Sequence, residues 1–144
     1  MWTFTQTGFY SVVAYDAGRD GMRLEVPSGT SPDALLLVRC RARADLDALL
    51  SVLELSPQRA ASSPRADYPH RAVLTRDEWA RFLSREVEAL DYPNFKSRVS
   101  AAQGDRRHAA YMRVWGILGD IEEPPRRGGA LGQPNLWRDD TPGP

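Results

Sequence analysis

The hexapeptide Asp91-Tyr92-Pro93-Asn94-Phe95-Lys96 sets a carboxylate, an amide and an amine within six positions. An acid and an amine this close can hold a phosphate or exchange a proton with a substrate, the raw material of a small enzyme. Lys96 is the chain's one lysine, the other 18 of its 19 basic residues being arginine. The same residues have a structural use. Asp91 ahead of a proline turn can cap a helix, Asn94 can bond the turn's backbone, and Tyr92 and Phe95 can anchor the loop in a core.

A second pattern is electrostatic. Arg39, Arg41 and Arg43 alternate along an apparent strand, and Arg71 on a later strand joins them if the two strands are neighbours. Residues two apart on a strand share a face, so this stripe, set beside the Phe and Tyr residues of the opening segment, can grip phosphates while rings stack on bases. Single-stranded nucleic acid is then the partner. Against it stands a net charge of zero, from 19 basic and 19 acidic residues, with no RNP-like aromatic motif. A third pattern is Pro134-Asn135-Leu136-Trp137 near the C-terminus. A lone tryptophan in a polar tail is suited to anchoring in a partner's groove.

Other chemistries lack their signatures. His70 and His108 have no second histidine or cysteine at metal-ligand spacing, and no phosphate loop or G-x-S-x-G nucleophile turn occurs. Cys40, the only cysteine, alternates into an apolar face and precludes an internal disulfide. No cofactor and no metal are expected. At 144 residues, 42% apolar and 26% charged, the chain has the composition of one soluble domain. No segment has the length and apolarity of a membrane helix, and the N-terminus lacks the pattern of a signal peptide, so the expected compartment is the cytoplasm.

The elements that position these groups follow from periodicity. Trp2 to Tyr15 alternates as a first strand with Gly8 as a bulge, and Leu35 to Arg43 as a second, with Leu36, Val38, Cys40 and Ala42 on one face. Between them lies a Gly/Pro-rich connection, Asp16 to Asp33. Leu46, Leu49, Leu50 and Leu53 make one helical stripe ending near Leu55; Ser56 to Asp67 is a linker-like loop; Tyr68 to Thr75 is a third strand. Thr75-Arg76-Asp77-Glu78 has the form of a capping box opening a helix that runs to about Leu90, with Trp79, Phe82, Leu83 and Leu90 as its buried stripe. Pro93 breaks the pattern before a short helix over Asn94 to Ala102. Gly104 stops that helix, and a last one from Asp105 aligns Tyr111, Val114, Trp115 and Leu118 before fraying by Glu123. Trp2, Trp79 and Trp115 are expected in the core. Residues 124–144, with five prolines and four glycines, read as a disordered tail.

The order β-β-α-β-α-α-α predicts one α+β domain over 1–123, a small antiparallel sheet of about three strands covered on one face by three to four helices. A split β-α-β arrangement is compatible with it. Several segments resemble a family of short uncharacterised bacterial proteins: the opening Met1-Trp2-Thr3-Phe4-Thr5 with Gly8-Phe9 and Ser11-Val12-Val13, the Arg41-Ala42-Arg43-Ala44-Asp45-Leu46 join, the Asp91–Lys96 hexapeptide, and Tyr111 with Val114-Trp115. The similarity spans about residues 1–121, and its most specific element is the hexapeptide. The resemblance implies a bacterial origin and a shared fold, and carries over no catalytic residues. The insert after Asp16 and the tail after Glu123 depart from the family pattern.

The expected function is that of a non-catalytic accessory or interaction protein binding a macromolecule, most simply another protein. The alternatives are the arginine-lined sheet for single-stranded nucleic acid, and an enzyme centred on Asp91, Asn94 and Lys96.

Overall fold

A computed structural model of the protein describes residues 1–19 and 24–119. The expected 124–144 tail, Trp137 and the expected end of the domain at residue 123 lie outside the described residues.

The chain forms an α+β fold around a five-stranded antiparallel sheet. Its strands are β1 (Trp2–Phe4), β2 (Phe9–Ala14), β3 (Leu35–Cys40), β4 (Ala61–Ser62) and β5 (His70–Thr75), in the order β1-β2-β3-β5-β4. The helices are α1 (Arg43–Val52), α2 (Arg76–Glu88), α3 (Phe95–Gln103) and α4 (Asp105–Leu118). β3 lies at the centre, pairing Val12 with Val38 on one side and Leu36 with Leu74 on the other. Both β3 and β4 run antiparallel to β5, so they point the same way with β5 between them, a split β-α-β unit joined across α1.

The expected three strands undercount the sheet for two reasons. The opening segment is a hairpin, with the reversal at residues 5–8. There the Thr5 hydroxyl accepts from the amides of Thr7 and Gly8, and the Thr5 amide donates to the Gly8 carbonyl. Gly8 is a site of close approach: a Cβ there would lie 2.8 Å from Asp45 Cβ. The other missed strand, β4, is two residues long and carries no periodicity of its own.

Alternation divides the sheet's faces. Tyr10, Val12, Leu36, Val38, Cys40, Ala72 and Leu74 point to the α1 and α2 side, where Leu46, Leu49, Leu50, Trp79 and Phe82 complete the main core. The opposite face is not open throughout. Leu35, Leu37 and Val73 are buried there with Tyr15 and Leu24 packed on them, so part of the Gly/Pro-rich connection covers it.

The capping box forms as its sequence predicts: Thr75 Oγ1 accepts from the Glu78 amide at 3.0 Å and Glu78 Oε2 from the Thr75 amide at 2.8 Å. The Ser56 to Asp67 loop is tied to it. Arg59, 8% exposed, donates to Glu78 Oε1 at 2.7 Å and to the Val73 carbonyl. The linker-like composition therefore conceals a buried anchor. α2 ends at Glu88, and Leu90, expected in its buried stripe, is exposed.

α3 and α4 pack mainly on each other as a helical hairpin set at the β1–β2 end of the sheet. Gly104, at φ 81°, makes the sharp turn between them. Trp79 is core as expected, whereas Trp2 and Trp115 are 65% and 61% exposed. Trp2 sits on the short edge strand. α4 buries none of its residues fully, because its apolar stripe faces a groove and solvent.

Candidate functional site

Asp45 fastens the α3–α4 hairpin to the body. It lies in the first turn of α1, only 3% exposed. Its Oδ2 accepts from the Phe9 amide at 3.2 Å and from Arg107 at 2.6 Å, and its carbonyl accepts from the buried Tyr10 hydroxyl at 3.0 Å. The hydrogen bond to Asp45 raises the Arg107 pKa further above its ordinary value. Burial raises the Tyr10 hydroxyl and the Cys40 thiol, with the Asp45 charge adding to both; these are protonated core groups. Gln103 donates to the carbonyls of Thr5 and Gln6, Arg98 donates to Gln6 Oε1 at 2.6 Å, and Phe4 meets Tyr111 edge-on at 5.0 Å. The hairpin is held by a polar seam and a few rings.

A groove of about 740 Å³ results along α3 and α4. Phe4, Phe95, Val99 and Tyr111 line it, with Val114, Trp115 and Leu118 from the last turns of α4. The Phe95 and Tyr111 rings stack at 6.2 Å. Trp115, Ile117 and Leu118 are all exposed on the same end of α4, more apolar surface than scattered single residues present. Of the cations between 94 and 119, Arg98 pairs with Asp91 and Arg107 with Asp45, while Lys96 stands at the groove.

The hexapeptide's groups take separate partners. Asn94 is the cap of α3, accepting from the Lys96 amide at 2.9 Å and the Ser97 amide at 3.3 Å. Asp91, the expected cap, instead pairs with Arg98 at 3.6 Å. Lys96 Nζ lies over the Trp115 ring, 3.7 Å from its centroid, at the groove's edge. The motif thus builds one wall of the groove, and its acid and amine are turned to different neighbours.

The arginine stripe is shorter than expected. Arg39 and Arg71 are register partners across β3 and β5. Arg39 donates to Ser11 Oγ at 2.7 Å and Arg71 to the Tyr68 carbonyl at 3.0 Å. Arg39 and Arg41 both stand about 5 Å from the Tyr68 ring centroid, at 5.1 and 4.9 Å. Arg41 also pairs with Asp67 in an exposed ion pair. β3 stops at Cys40, so Arg43 leaves the stripe, opening α1 and pairing with Asp47 one turn on.

His70 Nδ1 lies 2.9 Å from Ser62 Oγ on the β4–β5 hairpin, and His108 lines the α3–α4 groove. Among the described residues no group of three or more His, Cys, Asp and Glu side chains is placed to hold a metal ion, and no helix is long and apolar enough to cross a membrane. Sequence reading missed the roles of Asp45, Arg59 and Arg107. An acid in the first turn of a helix is ordinary, and only the fold brings Arg107 to it. Comparison with protein-family models, with curated proteins and with solved structures finds no match.

Proposed function

We propose that the chain is a non-catalytic interaction module whose α3–α4 groove receives a short segment of a partner protein, apolar at its anchors and acidic at its flanks. The observation that carries this reading is an apolar groove with the Lys96 amine over the Trp115 ring at its edge. Apolar anchors enter between the helices, as in helix-in-groove recognition. An acidic flank complements Lys96 at the groove's edge. Trp115 is suited to be the central contact, because it is large, exposed and already oriented by Lys96.

The test is selection from a displayed library of random 16-residue peptides against the full chain. Enriched sequences are expected to combine two apolar or aromatic anchors with Asp or Glu. A synthetic peptide of that kind should bind the Leu118→Glu variant at least tenfold more weakly. Leu118 is exposed, so the substitution leaves the core untouched. Enrichment without this pattern, or equal binding to the variant, would refute the reading.

A further inference from the structure

A second concavity, of about 400 Å³, opens between the outer face of the sheet and the inner side of α4. Its walls carry the rings of Trp2, Phe4, Phe9, Tyr68 and Tyr111, with the Arg41 side chain among them. The size falls within the range of about 300–1,000 Å³ usual for small-ligand sites. Its chemistry is unlike that of the first groove.

We propose that this cleft binds a nucleoside monophosphate unit, with the base laid against the aromatic wall and the phosphate on Arg41. Three features lead there. First, the rings are arranged to receive another ring. Phe9 stacks on Phe4 at 4.6 Å and meets Trp2 edge-on at 5.8 Å, while Trp2 leaves most of its own surface to solvent. A planar base can occupy such a wall in several orientations, since every base has a π face. Second, Arg41 is held near the wall by Tyr68 and by Asp67, and the Arg41–Asp67 pair is exposed on both sides. An exposed ion pair is weak, so a phosphate can take the place of Asp67 and use the guanidinium's paired donors. Third, the acid lining the cleft, Asp45, is already neutralised by Arg107 at 2.6 Å and does not repel an anion. An uncharged ligand would leave the arginine unused, and an aliphatic anion or inorganic phosphate would leave the rings without a stacking partner.

The same unit exists free or within a single strand, and one set of titrations separates the two. Calorimetry of the full chain at low salt would use AMP, a six-nucleotide oligo(dA) and inorganic phosphate. AMP is expected to bind at least tenfold more tightly than inorganic phosphate. Arg41→Ala and Phe9→Leu should each weaken AMP at least tenfold, while Arg43→Ala, on α1 and outside the cleft, should not. An oligonucleotide that binds more tightly than AMP, with a steeper salt dependence, identifies a strand as the source; equal binding identifies the free nucleotide. Arg41→Ala removes one exposed ion pair, and an unchanged far-UV circular dichroism spectrum verifies that the variant is folded. The proposal is overturned if neither AMP nor the oligonucleotide binds, if phosphate alone binds as tightly as AMP, or if the Arg41 and Phe9 variants bind like the parent.

Discussion

Arg59 and Glu78 come from segments that the chain separates by β4 and β5, yet they form a buried ion pair. Glu78 has two duties, closing the capping box through Oε2 and meeting Arg59 through both carboxylate oxygens. Burial alone would raise its pKa; the hydrogen bonds from Arg59 and from the Thr75 amide outweigh that and hold it below its ordinary 4.5. A carboxylate whose native pKa is lowered stabilises the fold fully above its unfolded pKa and loses that contribution as pH falls through the native value. Arg59→Met removes the cation and leaves a buried charge, a change that costs about 3 kcal/mol or more for such pairs. Denaturant unfolding at pH 7 should therefore show a large gap between parent and variant. As pH falls through the native value and Glu78 becomes neutral, the gap should shrink. A gap that does not change with pH would mean that Arg59 acts through packing alone.

Among the elements, those most legible in the sequence are those with one unbroken period. The leucines of α1, the alternation of β3 and the capping box of α2 each carry a local signal that packing reinforces. The β1–β2 hairpin lacked one, because its turn has no Asn-Gly or Asp-Gly pair and the alternation continues across it. The site was legible only in pieces. The hexapeptide stood out, but its groove depends on α4, whose Tyr111, Val114, Trp115 and Leu118 stripe looked like core. Periodicity shows that a face is apolar; it does not show whether another element covers it. The seam beneath α4 is equally nonlocal, since Arg107 and Asp45 are 62 residues apart. That seam sets an expectation for motion. Gln103→Ala, which removes the bonds to the Thr5 and Gln6 carbonyls and strands no charge, should loosen the α3–α4 hairpin without unfolding the sheet, so hydrogen exchange of α3 and α4 amides should accelerate about tenfold or more while β3 and β5 keep their protection. Uniform acceleration would show instead that the hairpin is part of the global folding unit.

At the scale of the molecule, the two cavities share a wall. Phe4, Tyr111 and Val114 line both, so α4 has the first groove on one side and the aromatic cleft on the other. A ligand in the cleft bridges the sheet and α4, and so restrains the helix against which the peptide must pack. Restraining α4 in advance lowers the ordering cost of the second binding event, which makes the coupling positive. Linkage then requires the effect to be reciprocal, by one and the same factor. Repeating the titration of a selected acidic peptide at saturating AMP should tighten it about fivefold or more, within the usual range of coupling between sites, and saturating peptide should tighten AMP equally. Independent binding would mean that α4 is rigidly seated and that the two cavities, though they share three side chains, are energetically separate.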